Sequence, residues 1–247
     1  MIHDDIMYRD IKSTLDAVFP LFNLRKKSTL PNCDQLNKHF KHYNNNNKNL
    51  FFAQQDDNLL HPKLGYEERI YEHGVIATRS NNWHDFFNAM VWHNFPKTKS
   101  AINAIHYQQI QLQNDSKRSR KRDILTLFDE CGVIILAKSV HLELIRKHDW
   151  YKLFIENKSL WLNQEIKIIT FGHAMYEKYL NPYIGMTAKA LLVDENQFDI
   201  DAFIASKILN HKLLISKEDL SPLPVLGIPG WHKNQNNSFY ANKQYFR

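Results

Sequence analysis

Glycine is scarce in this chain, 7 among 247 residues. Few loops can therefore approach a phosphate closely, and neither a P-loop nor a G-x-G-x-x-G fingerprint occurs, which disfavours nucleotide binding of those kinds. Cysteine is scarcer still: Cys33 and Cys131 form no CxxC pair, and both read as reduced thiols rather than as part of a disulfide framework. No apolar run approaches the roughly 20 residues needed to cross a bilayer. The opening stretch MIHDDIMYRDIKSTLD carries acids where a secretory leader needs a basic and then an apolar run. The expectation is a cytoplasmic protein with no membrane partner. No serine sits in a G-x-S-x-G elbow, and no internal repeat is visible.

What is present is ample material for a core. The chain is 43% hydrophobic and 13% aromatic, enough for one large domain and unlike a disordered composition. A formal net charge of +6 permits anionic partners without requiring them.

The apolar pattern predicts an amino-terminal helix to about Leu30, with Ile6, Ile11, Leu15 and Val18 near helical spacing, and a second short helix over Cys33–Tyr43. Asn44–Asn47 reads as an exposed loop. A strand is expected over Phe51–Asp57 and a turn at His73-Gly74. Asn82 is placed to cap a helix that stops near Phe95, because Pro96 restricts the residue before it and can itself begin the next helix, to about Gln113. Residues 114–122 form a charged connection. ILTLFDECGVIILAKS reads as a hairpin of two strands folded about Cys131-Gly132. Ser139–Glu156 reads as one long helix, Ile166–Phe171 as a strand, Gly172–Leu180 as a helix, Ala188–Val193 as strand or helix, and Asp199–Leu209 as a helix. The Pro-rich tail is expected to be extended, to pack on the body and to wedge Trp231 into it. The fold class is α+β: one mostly helical domain over 51–247 with a β-hairpin and a few further strands, preceded by an amino-terminal helical segment over 1–50.

Chemistry concentrates between Thr78 and Asn103, where His84, Asp85, Asn88, Lys97, Lys99 and Asn103 lie among Trp83, Phe86, Phe87, Trp92 and Phe95. Burying the aromatics draws polar groups inward, and these must find partners or do chemistry. His84 and Asn88, four apart, share a helix face. Asp129 follows an apolar strand directly, at a place suited to a metal ligand or an acid–base group and equally to a turn. His173 and Glu177 repeat the four-residue spacing, which can present two metal ligands on one face. Glu177 is more simply a solvated side chain. Arg79 offers a bidentate grip on a carboxylate or phosphate, or a loop-locking pair with Asp85 or Glu72. Lys117, Arg118, Arg120, Lys121 and Arg122 are the densest positive charge, but no aromatic is interleaved for base stacking.

Four blocks of residues resemble those of the DUF3025 family of uncharacterised proteobacterial proteins. They are Trp83-His84-Asp85-Phe86-Phe87-Asn88-Ala89 followed by Trp92, Phe95-Pro96 and Lys99; Leu125–Glu130 before Gly132; Phe171-Gly172-His173-Ala174; and Pro222–Trp231. Phe239-Tyr240 and Phe246-Arg247 fit as well. The resemblance runs from about Tyr71 to the carboxyl terminus. It implies no function, since the family name records none.

Two function classes follow from the residues. In the first, a metal-assisted hydrolase acts on an anionic substrate such as a phosphodiester. His84, Asp85, Asn88 and Asp129 do the catalysis, Arg79, Lys99 and Trp92 bind substrate, and Asp129, His173 and His84 hold a divalent metal. In the second, the same polar residues form a satisfied network in a binding or scaffold protein, and the basic run from Lys117 to Arg122 contacts nucleic acid or another acidic partner.

Overall fold

A computed structural model describes residues 30–38, 40–112 and 118–247. The predicted amino-terminal helix and Lys117 lie outside them. Asn32 caps a short helix, α1 (Cys33–Asn37), by accepting from the Gln35 backbone N–H at 3.0 Å. The helix is shorter than the predicted span. Asn44, expected in an exposed loop, is buried: its amide donates to the carbonyls of Ile70 and Tyr71 at 2.7 and 2.9 Å. Strand β1 (Phe51–Gln54) pairs in parallel with β2 (Val75–Thr78), and α2 (Tyr66–His73) joins them. Gly74 ends α2 with a φ of 75°, a left-handed conformation that glycine adopts without strain.

The aromatic segment forms α3 (Trp83–Asn94), which starts at Asn82 and gives way at Phe95 to α4 (Pro96–Gln111). Pro96 begins α4 at no cost because its missing N–H belongs to the unpaired first turn. The next two N–H groups, of Lys97 and Thr98, donate to the Asp201 carboxylate at 2.9 and 2.7 Å. Asp201 therefore supplies from another helix the cap that α4 lacks in its own sequence.

The predicted hairpin is not there. ILTLFDEC lies in α5 (Arg120–Cys131), and only the second half, β3 (Gly132–Ala137), is a strand. Ser119 caps α5 by accepting from the Arg122 N–H at 3.3 Å, so the charged connection is already helical from Arg120. Ile124, Leu125 and Phe128 share the buried face at helical spacing, in a run too short for periodicity alone to separate helix from strand. The long helix expected after Ser139 is also broken. It ends as α6 (Ser139–Arg146), His148 takes a φ of 54°, and a π-helical turn (Lys152–Glu156) and α7 (Lys158–Leu162) follow.

β3 is buried along its whole length. It pairs antiparallel with β4 (Lys167–Thr170) and parallel with β5 (Thr187–Asp194), and β5 pairs antiparallel with β6 (Leu220–Pro224), giving the order β4-β3-β5-β6. Ala188–Val193 thus resolves as strand. Between these strands lie α8 (His173–Leu180) and α9 (Ile200–Leu209). α9 packs on α4, and α8 packs on both α3 and α5. After β6 the tail buries Leu226, Ile228, Trp231 and Tyr245 against the body; it is not extended throughout, since it makes a 3-10 turn at Val225–Gly227 and carries α10 (Asn237–Tyr240). The architecture is α+β, with one continuous core. No helix among the described residues is long and apolar enough to cross a membrane.

Candidate functional site

Three helix ends bring the polar residues together. Lys99 sits in the first turn of α4, Asp129 in the last turn of α5, and His173 opens α8. Two glycines allow that approach. A Cβ on Gly172 would lie 2.4 Å from the Glu130 carbonyl oxygen, and one on Gly132 would lie 2.3 Å from that of Phe128. The Gly172 N–H donates to the Gly132 carbonyl at 2.7 Å. The start of α8 is thereby pinned to the end of α5, with His173 beside Asp129.

Lys99 is 4% exposed, and all its donors are spent. Nζ donates to Asp129 Oδ1 and Oδ2 at 2.6 and 2.8 Å and to Asn88 Oδ1 at 2.9 Å, and lies 5.2 Å from the Trp92 ring centroid. Burial would raise the Asp129 carboxyl. The Lys99 ammonium and its hydrogen bonds, with His173 nearby, outweigh that and hold it below the usual carboxylate range. Lys99 and Trp92, predicted to bind substrate, are both buried and act from beneath the site: Lys99 fixes Asp129 and Asn88, and Trp92 walls off the ammonium.

From Asp129 a line of contacts runs outward. His173 Nδ1 lies 3.8 Å from Asp129 Oδ2, beyond hydrogen-bond length, and has no hydrogen-bond partner although it is buried. His173 Nε2 meets His84 Nε2 at 3.1 Å with the rings nearly perpendicular, and His84 Nδ1 meets Glu177 Oε2 at 3.2 Å. Exposure rises along this line, from 8% for the His173 side chain to 35% for His84 and 50% for Glu177. Burial is the main reason that the His173 imidazole is pushed down to about 4; Asp129 opposes the shift, and Lys99 and His84 add to it.

Asp85 is engaged otherwise. Its carboxylate accepts from the Arg79 backbone N–H at 2.7 Å and from Arg79 Nε and Nη2 at 2.9 and 2.7 Å. Burial raises this carboxyl, but the Arg79 contacts prevail and lower it. Arg79 and Asp85 thus lock the loop before α3, the second of the two readings that the sequence offered for Arg79. Asp129 lies in a helix and not at a strand end. The metal set does not fit. His173 addresses Asp129 with one ring nitrogen and His84 with the opposite one, so the three donors diverge. Among the described residues no three His, Cys, Asp or Glu side chains are arranged to hold a metal ion.

Sequence reasoning missed Tyr66, whose hydroxyl lies 2.9 Å from Asn88 Nδ2, and undervalued Glu177. It also missed a second buried polar layer on α4. Asn103 donates to the Glu67 carbonyl and carboxylate at 2.9 and 2.7 Å, and His106 is buried one turn on. Lys99, Asn103 and His106 recur at steps of four and three, a polar stripe at helical period that was there to be read. Nothing around Tyr66 signals that its hydroxyl points inward. Of the basic run, Arg118 pairs with Asp123 at 3.4 Å, Arg118 and Arg120 are exposed, and Lys121 and Arg122 are half-buried.

The fold and the site define a class of protein: an α+β domain in which a buried lysine–aspartate pair underlies two histidines in edge-to-face contact, the outer of which, His84, reaches the surface. The chain belongs to the DUF3025 family of proteins of unknown function, whose model matches residues 50–247. No curated protein and no solved structure matches it. Three of the four sequence blocks that carry the family resemblance supply the residues that meet here.

Proposed function

We propose that the protein is a hydrolase in which His84 works as the acid–base group, backed by His173 and Asp129, on an uncharged carbonyl compound. The observation that carries this reading is the 3.1 Å contact between the two Nε2 atoms, with His84 partly exposed at the outer end. Such a contact needs one proton between the rings, and where it sits follows from the outer partners. With His84 Nδ1–H donating to Glu177, His173 Nε2–H donates to His84, and His173 Nδ1 is left as a lone pair towards Asp129, an unfavourable placement beside a carboxylate. In the alternative arrangement His173 Nδ1–H faces Asp129, His84 Nε2–H donates to His173, and His84 Nδ1 presents a lone pair to solvent once the exposed Glu177 swings aside. That second arrangement is competent as a base.

Water then attacks the carbonyl carbon, and its proton passes to His84 Nδ1. The tetrahedral intermediate collapses, the bond to the leaving oxygen breaks, and that oxygen takes the proton back, yielding acid and alcohol. His173 and Asp129 position His84 and share its transient charge. A metal-assisted phosphodiesterase is supported less well, because Arg79 and Lys99 are neutralised by their own carboxylates and the proposed metal ligands diverge.

The test is hydrolysis of p-nitrophenyl butyrate by the full chain. His84→Gln is expected to lower kcat/KM by about 100-fold or more, and His173→Gln to shift the pH–rate profile. A metal chelator is expected to leave the wild-type rate unchanged; a chelator-sensitive rate returns the metal reading. Equal rates in wild type and His84→Gln exclude the relay. The saturated Lys99 ammonium favours the second reading, a structural network in a binding or scaffold protein that uses Arg118, Arg120, Lys121 and Arg122 on an acidic partner. There, His84→Gln has no effect on any hydrolysis while loss of Lys99 or Asp129 unfolds the chain.

A further inference from the structure

An ammonium carries no lone pair and can only donate. Lys99 therefore fixes the Asn88 amide: Oδ1 accepts from Nζ at 2.9 Å, and the amide N–H groups face the other way. Asn88 Nδ2 lies 2.9 Å from Tyr66 Oη, so Tyr66 accepts there. The buried indole N–H of Trp92, which has no partner at hydrogen-bond length, lies near the same oxygen. Both flanking groups are donors. The proton of Tyr66 has no acceptor among the described residues, and the phenol is left as a donor looking for one.

Tyr66 keeps 39% of its surface exposed and the Asp129 side chain 19%, so a small solute can reach both. Burial first, then the charges of Glu67 and Asp129, push the phenol well above the ordinary tyrosine range, so it keeps its proton. The same two carboxylates repel an anion from this spot. Asn88 and His84 lie about one turn apart on α3, about 6 Å along its axis, so the Tyr66 hydroxyl and the His84 ring flank one short stretch of the helix.

We propose that Tyr66 is a substrate-binding residue: its O–H donates to an uncharged carbonyl oxygen, while His84 serves the water that attacks the adjacent carbon. This rests on the hydrolase reading above. As water adds, the carbonyl electron pair moves onto the oxygen that Tyr66 holds. When the carbonyl re-forms, the leaving oxygen takes its proton from His84, and Tyr66 retains its own. The hydrogen bond strengthens as charge develops on the oxygen, and that gain must outweigh the repulsion from Glu67 and Asp129 for the donor to lower the barrier.

The experiment has two arms on the full-length chain. In the first, p-nitrophenyl butyrate is turned over by wild type, Tyr66→Phe and His84→Gln. Tyr66→Phe is expected to lose about 100-fold in kcat, the effect of removing one oxyanion donor, with KM little changed. In the second, tyrosines carry a carbon-13 label at Cζ and acetamide is the probe. A saturable shift is expected in the one resonance that Tyr66→Phe deletes, and it is expected to survive in His84→Gln. An inactive His84→Gln beside a fully active Tyr66→Phe overturns the role of Tyr66 and leaves the relay standing. Full activity in both variants, or none in wild type, removes the hydrolase reading, and the acetamide titration then decides alone. Absence of a saturable shift overturns carbonyl binding by Tyr66 whatever the rates.

Discussion

Lys99 and Asp129 form a short and largely buried ion pair, in which the charge of each is tolerable only beside the other. Desolvating an ion costs several kcal/mol, and the bidentate geometry with the Asn88 contact offsets it. Removing one partner leaves the other charge buried and alone. Asp129→Asn is therefore expected to destabilise the fold by about 3 kcal/mol, and Lys99→Met by a similar amount. The double variant should cost clearly less than the sum, as read by urea unfolding in a double-mutant cycle. Additive costs would mean that the pair contributes no coupling. The aromatic segment announced that polar groups are drawn inward, and His84, Asn88 and Lys99 were legible as candidates for that reason. Which of them reacts was not legible. The partner that decides it for Lys99, Asp129, follows from side-chain directions that spacing does not encode, and for Arg79 the same directions choose Asp85 over Glu72.

At the scale of elements, the site depends on how closely α5, β3 and α8 approach one another. Gly172 is the joint. A Cβ there meets backbone atoms of Glu130 and Gly132, which cannot move without shifting the helix end or the strand. Gly172→Ala is expected to cost about 1–3 kcal/mol through this overpacking and to disturb the His173–His84 contact. Imidazole nitrogen NMR shifts of both rings, compared with wild type, check it. Unchanged shifts and stability would mean that the joint has slack. The helices α3, α4, α8 and α9 and the strand β4 follow the predicted spans within a few residues, because caps, Pro96 and clear periodicity mark them. The α5–β3 hairpin error has a plain cause. Short apolar runs fit both periods, and the choice is made by the face that packs: Ile124, Leu125 and Phe128 turn inward together only on a helix.

Over the whole molecule, acid acts through histidines held neutral. The folded His173 lies at about 4 against an ordinary value of 6.5, so between these pH values the unfolded chain binds more protons than the folded one. Stability is full above pH 6.5 and falls as pH drops towards 4, by on the order of 3 kcal/mol from His173. His106 and His42 shift in the same direction, chiefly through burial, and add to the loss. Asp129, lowered from 3.8, contributes its own loss only below this window. Urea midpoints from pH 7.5 to 4.5 should therefore fall in wild type and fall less steeply in His173→Gln. Parallel curves would show that His173 is not held neutral. Composition and periodicity by themselves determined the α+β class, most helix boundaries, the buried tail with Trp231 and the neighbourhood of the site, because those rest on local backbone preference and on how much apolar surface must be hidden. Only the tertiary structure decided that Asp129 neutralises Lys99, that Arg79 is spent on Asp85, that two histidines 89 positions apart meet, and that Tyr66 is left with a proton to give. Such pairings depend on the directions of side chains from separate elements, and those directions exist only once the helices have packed.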